Sequence, residues 1–317
     1  MRRKVLMIVG LIGMIFILTA CGGGDEVIVF TNADAEAVAI MERVVAEHFD
    51  GDVVFQTLGT GELSGRVVAE GANIEADVIT LSSFHIDSNA NVFADFDVKD
   101  GNLFGGTSIH SPLLALEGSL IVNTEVLAEF GLPMPQSLAD LADPAFANQI
   151  SIPDLHSSTT GWLFVQAILY NYGEIEGGVI LDAILENVGP HLETSGSAPI
   201  VKARSGEVAV AFGLRHQGVA DMEDGLPIQV IDVTEGNFLL TESVALVDRG
   251  ADITDEAREV ARILANYTRP YLLEFYPTAL FADESVSGAD AARVRLFPEV
   301  LTVPLLEEHQ SFFRSAQ

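Results

Sequence analysis

The sequence predicts an α/β protein of two lobes joined by two crossing strands. Three observations carry this. A unit of short apolar strand, polar turn and helix repeats from residue 27 onward. A second group of apolar strands appears between residues 149 and 231. Two apolar segments, 113–122 and 241–247, stand where the chain would pass out to the second group and back. The first lobe is therefore expected from residues 27–115 and 241–317, and the second from residues 116–240.

The chain opens with Arg2, Arg3 and Lys4, an apolar run over 5–18 and then Leu18-Thr19-Ala20-Cys21. A basic start, a short apolar core and small residues before a cleavage point describe a secretory signal over 1–20. The run is shorter than the roughly 20 apolar residues a spanning helix needs. Leu18-Thr19-Ala20-Cys21 resembles a bacterial lipobox, which implies lipid on Cys21. Residues 21–26 then act as the lipidated cysteine and a glycine-rich tether. Cys21 is the chain's single cysteine, so no disulfide framework exists.

In order, Val27-Ile28-Val29-Phe30 reads as a buried parallel strand. Residues 35–48 carry Val38, Met41, Val44 and Val45 at helical spacing. Val53-Val54-Phe55 is the second strand, followed by Gly59-Thr60-Gly61 and a helix over 62–71. Asp77-Val78-Ile79-Thr80-Leu81 is the third, ending at Ser82-Ser83. Gln149-Ile150-Ser151-Ile152 leads to Ser157-Ser158-Thr159-Thr160-Gly161, and 162–170 reads as a buried helix. Val208 to Phe212 and Ile228 to Ile231 are further strands. Residues 255–267 form an amphipathic helix with Ala257, Val260, Ile263 and Leu264 inward.

Ligands of such sheets sit beyond the carboxyl ends of strands. Asn32, Asp34, Thr60, Ser82 and Ser83 all fall there. The hydroxyl run Ser157, Ser158, Thr159 and Thr160 stands at a helix start, where it either caps the helix or helps hold an anion. Ser195 lies in a Ser-Gly-Ser loop. Arg215 and His216 follow a buried strand, and a guanidinium fork suits phosphate or carboxylate. Its alternative is a structural ion pair. Glu235 and Glu242 flank the return crossing and are candidates, with Asp34, to meet a cationic group; their order stays open.

Charge narrows the partners. The chain holds 16 basic and 46 acidic residues, a net charge of −30. Without the leader it has 13 basic residues against 46 acidic ones, near −33. That argues against nucleic acid and against a basic membrane-binding face. It also requires a local cluster of donors for any bound anion. There is no G-x-S-x-G elbow, no phosphate loop and no complete dinucleotide fingerprint. The seven histidines, at 48, 85, 110, 156, 191, 216 and 309, show no local metal motif.

Taken together, the lipobox, strand 27–30, Gly59-Thr60-Gly61-Glu62-Leu63, Asp77-Val78-Ile79, Asp154, Ser157 to Trp162, Gly206-Glu207-Val208-Ala209-Val210 and 241–247 resemble the extracellular solute-binding proteins of ABC importers. The branch is the one that holds ferric-iron binders and 2-aminoethylphosphonate binders. The resemblance implies the two-lobe periplasmic-binding-protein fold of type II and a ligand caught by lobe closure. It also implies delivery to a membrane permease and its ATPase, with a monomer and no cofactor or enzyme activity. Iron binders place a tyrosine pair where this chain has Leu214, Arg215 and His216. They often place a carboxylate where Ser82-Ser83 stands. Phe30 to Asp34, Ser157 to Trp162, Gly213 to Gln217 and Thr234 to Phe238 look nearest to the phosphonate binders. Three alternatives stand beside that reading: a ferric or other metal binder, a secreted phosphonate- or phosphate-processing enzyme, and a binder of another small ligand such as a polyamine.

Overall fold

The computed structural model describes residues 26–105, 107–286 and 294–314. The leader and Cys21 lie outside them.

The first lobe starts with β1 (Val27–Thr31), α1 (Ala35–His48), β2 (Val53–Thr57), α2 (Thr60–Glu70), β3 (Val78–Ser82), α3 (Ser83–Ser88) and the short β4 (Phe93–Ala94). β1 pairs in parallel with both β2 and β3. The alternation of strand and helix forces this, since each crossover returns the chain in the same direction. Met41, Val44 and Val45 of α1 are buried as its spacing predicted, Val38 is half-buried, and Ala37 and Ile40 complete the stripe.

β5 (His110–Asn123) crosses between the lobes. The second lobe continues with α4 (Thr124–Glu129), β6 (Ile150–Pro153), α5 (Thr159–Val188), β7 (Leu192–Glu193), α6 (Ala198–Arg204), β8 (Val210–Leu214), α7 (Arg215–Glu223) and β9 (Ile228–Ile231). β10 (Asn237–Val247) crosses back, followed by α8 (Asp255–Tyr267), α9 (Arg269–Phe275), β11 (Val294–Leu296) and α10 (Val303–Arg314). The strand order β2-β1-β3-β10-β5-β8-β6-β7 is continuous because β5 and β10 run through both halves and pair with each other antiparallel.

Both crossings are longer than the apolar runs that announced them. His110 and Ser111 extend β5 because Ala245 and Val244 of β10 pair with them, and the His110 Nδ1 lies 3.0 Å from the Ser243 Oγ. Asn237 extends β10 because its amide donates to Glu117 and Asp232. α5 runs well past residue 170. A bend at Gly173, with φ of 71°, lets one helix continue into another.

The C-terminal part departs from the expectation that 241–317 belongs with the first lobe. β11 pairs with Asn237 to Leu239, at the end of β10 on the second-lobe side. α10 packs on α5, and His309 Nδ1 accepts a 2.8 Å bond from the buried Trp162 indole. Trp162 in turn meets Phe84 and Phe297 edge-on.

Candidate functional site

The starts of several helices meet in one cleft of about 300 Å³ between the lobes. From the first lobe come Asn32, Asp34, Thr57, Gly59 and Thr60; from the second come Ser157 to Thr160 and Thr194 to Ser197. Leu116, Leu214 and Glu242 close the floor at the crossing strands. Each helix begins there because the preceding strand ends there. The positive dipole ends of α2 and α5 therefore face the same space, while the Gly61, Thr160 and Gly161 N–H groups are already bonded to the Ser157 carbonyl, the Ser158 hydroxyl and the Ser158 carbonyl.

The two helices begin differently. α5 is capped by Ser158, whose hydroxyl accepts from the Thr160 N–H at 3.3 Å. α2 has Gly59 at its cap position and no side-chain cap. Ser158 caps the helix, one of the two roles the sequence allowed, and all four hydroxyl residues line the cleft. Two glycines permit the closeness. A Cβ on Gly196 would lie 2.2 Å from Thr160 Oγ1, and one on Gly61 would lie 2.9 Å from the His156 carbonyl. The second contact joins the lobes, and the Gly61 N–H donates to the Ser157 carbonyl at 3.4 Å.

The acids of the cleft are not equivalent. Glu242 is buried, and one carboxyl oxygen accepts from the Asn32 amide at 2.6 Å. The same Asn32 amide nitrogen donates to Thr60 Oγ1 at 3.0 Å. Burial pushes Glu242 up to about 8; the Asn32 bond opposes this and the charge of Asp34 adds to it. Glu242 Oε2 and Asn32 Oδ1 are buried without a hydrogen-bond partner among the described residues. Asp34 is occupied instead. It caps α1 through the Ala37 N–H, accepts from the Tyr276 hydroxyl and lies 3.3 Å from His216 Nε2. Burial alone would raise its carboxyl, but His216, Tyr276 and the Ala37 N–H together hold it below the usual range. Tyr276 is pushed well above the usual phenol range by burial and by Asp34.

Five expected residues lie outside the cleft. Ser82 is fully buried behind it, its hydroxyl 3.4 Å from Thr159 Oγ1 across the lobes. Ser83 is turned to the crossing strands, with its hydroxyl 2.7 Å from those of Thr241 and Ser243. Arg215 is not brought to the cleft. Its Nε sits 3.0 Å from Asp232 and 3.6 Å from Glu117, in a separate cavity behind the hinge. The first turn of α7 directs it there, so the ion-pair alternative describes it. His216 lines that rear cavity and reaches the cleft only through Asp34. Glu235 is a buried anchor of the second lobe, accepting from the Ala139 N–H and the Tyr172 hydroxyl. It corrects the expectation of an acid beside the ligand.

Thr57 and Thr194 were missed. The strand-end rule that selects Asn32 also selects Thr57. Thr194 follows the two-residue β7, too short to leave a pattern. Among the described residues, no group of three or more His, Cys, Asp and Glu side chains is placed to hold a metal. The cleft lining itself contains no Lys and no Arg.

The family described as bacterial extracellular solute-binding protein matches residues 71–268. An uncharacterised protein of Haemophilus influenzae is 24% identical over 252 residues, covering 74% of this chain and 70% of the relative. Among solved structures, the periplasmic binding protein AfuA of Actinobacillus pleuropneumoniae, bound to fructose-6-phosphate, is similar with a TM-score of 0.77 and 18% identity, over 92% of this chain and 97% of that one. The periplasmic binding protein P5PA is similar with a TM-score of 0.75 and 18% identity, over 92% and 98%. Iron-bound HitA of Pseudomonas aeruginosa gives 0.69 and 20%, over 92% and 99%. At these identities the structures establish the shared two-lobe fold.

Proposed function

The chain belongs to the bacterial extracellular solute-binding proteins, and from that premise we propose that it captures a small phosphonate, 2-aminoethylphosphonate first among them. The observation that carries this is the convergence of α2 and α5, one from each lobe, on a single small cleft lined by hydroxyls. Backbone N–H groups and dipole ends stabilise an oxyanion without a fixed cation. Thr60, Ser157, Ser158, Thr159 and Thr160 supply the hydroxyls, and the Ser195 loop adds further donors.

Capture proceeds by closure. The contacts Gly61 to Ser157, Ser82 to Thr159 and Asp34 to His216 join residues of opposite lobes. A ligand bridging both helix starts favours the state in which these contacts form, which is a population shift. The closed monomer then presents the ligand to an ABC permease driven by its ATPase. Lipid on Cys21 would keep it at the membrane face. No bond in the ligand is made or broken.

The donor set speaks against ferric ion. The cleft lining contains no tyrosine, and Tyr276, which donates its O–H to Asp34, is held above the usual phenol range. A ferric ligand needs the phenolate.

A thermal-shift panel on protein beginning after Cys21 tests the proposal. It would hold 2-aminoethylphosphonate, ethylphosphonate, phosphate, fructose-6-phosphate, ferric citrate and spermidine. A ligand at about 100 times its dissociation constant adds roughly 2.7 kcal/mol of stability. Phosphonates should give the largest shift. A response to ferric citrate or spermidine with none to any oxyanion would reject it.

A further inference from the structure

Glu242 is aimed into the cleft by an irregularity in the crossing strands. The register of β10 against β5 shifts between Glu242 and Ser243, so Leu113 has no partner opposite. The Leu113 carbonyl instead accepts a 2.7 Å bond from the buried Arg269. Such a bulge redirects the side chain beside it. The result is a carboxyl that is only 2% exposed, lines the cleft, and leaves Oε2 without a hydrogen-bond partner among the described residues. Asn32, which holds the other oxygen, also has its own Oδ1 unpartnered. With the carboxyl protonated, Oε2 is an open O–H donor and Asn32 Oδ1 an open acceptor, and both are costly in a binding cleft unless a ligand completes them.

We propose that Glu242, oriented by Asn32, is the ammonium subsite of this cleft, and that it surrenders a proton to solvent when an amine-bearing ligand enters. The inference rests on the phosphonate reading above and adds the group that selects among phosphonates. The balance is simple. A protonated carboxyl and a ligand ammonium become a carboxylate–ammonium pair, and one proton leaves to buffer. The ammonium offers three N–H donors, enough for Glu242 Oε2 and Asn32 Oδ1. The charge it brings replaces the proton that burial had kept in place.

The surroundings leave Glu242 this role. From the start of α1, Asp34 faces it as a like charge, already engaged by His216 of α7 and by Tyr276. Ser82 of β3 and Leu114 of β5 lie beside it in the sheet and carry no charge. The start of α5 contributes hydroxyls and a dipole end. Burial holds the Glu242 carboxyl at about 8, so it meets the ligand protonated at neutral pH.

Calorimetric titration at pH 7 in two buffers of different ionisation enthalpy counts the protons. The ligands are 2-aminoethylphosphonate and ethylphosphonate, and the proteins are the native chain and Glu242→Gln. The native chain should release about one proton more than the variant with the aminophosphonate. The variant should lose about tenfold or more in aminophosphonate affinity and keep its ethylphosphonate affinity within about threefold. In the native chain alone, release should fade above pH 8, which tests the idea even if the variant folds poorly. Equal proton counts in both proteins, or release undiminished at pH 9, overturn the subsite while leaving phosphonate capture standing. Absence of binding by both phosphonates removes the phosphonate reading and this inference together.

Discussion

At the scale of single residues, Glu242 and His85 pull stability in opposite pH directions. An unfolded glutamate ionises near 4.5, whereas folded Glu242 keeps its proton to about 8. Between those values the unfolded chain binds fewer protons, so the empty protein loses stability as pH rises, by at most about 1.4 kcal/mol per pH unit. Above 8 the loss levels off. His85 is buried and held neutral down to about 4, so stability falls as pH drops from 6.5 toward 4. Between about 4.5 and 6.5 the two slopes oppose and largely cancel, so the melting temperature should decline mainly from pH 6.5 to 8; Glu242→Gln should remove that decline and steepen the fall on the acid side. An unaltered profile would place Glu242 in contact with water. Arg215 belongs at this scale as well. The sequence shows a guanidinium after a buried strand, but not which of 46 acids it will meet. It meets Asp232 and Glu117. Arg215→Ala should cost about 1 kcal/mol in stability and leave phosphonate affinity within about threefold, measured by denaturation and calorimetry. A loss of binding with the fold intact would return Arg215 to the ligand.

At the scale of elements, the legible parts were those with strong periodicity or composition. The stripe of α8 matched the expected residues, and that of α1 matched at Met41, Val44 and Val45 but not at the half-buried Val38, because one face of each packs on the sheet. The hydroxyl run at the start of α5 was legible because a cap and an anion site use the same residue types. Illegible were the directions set by tertiary pairing. Ser83 follows a strand end like Ser82, yet it turns to Thr241 and Ser243 because α3 packs on β10. Glu235 and Glu242 stand seven residues apart on one stretch, and only the bulge and the crossing separate an anchor from a site residue. The loop containing Thr194 has no pattern of its own. The start of α2 offers the sharpest test of closure. A methyl on Gly61 would sit 2.9 Å from the His156 carbonyl of the facing lobe. Gly61→Ala should weaken ligand binding about tenfold, roughly 1.4 kcal/mol. Unchanged affinity in a titration would mean that this contact is not part of the ligand-bound state.

At the scale of the whole molecule, the proposed capture sets an anion against the field of a chain of net charge −30. Helix ends act over a turn or so, whereas the net charge acts over a screening length of about 10 Å at 0.1 M salt. Salt should therefore speed association of a phosphonate by screening the repulsion, while dissociation changes little. Stopped-flow measurements from low salt to about 0.5 M would show a rising association rate. A falling rate would reveal a cationic funnel that the cleft lining does not contain. Two lobes and two crossings were readable from strand grouping alone, because apolar segments must bridge the halves. The seat of α10 on α5 was not, since its contacts come from the far end of the chain. The central claim is that one oxyanion is shared by helix starts of opposite lobes. A crystal structure with 2-aminoethylphosphonate tests it directly. The phosphorus should lie between the start of α2 and the start of α5, with the amine toward Glu242. A phosphonate held instead in the rear cavity beside Arg215, or a metal ion occupying the cleft, would contradict the account.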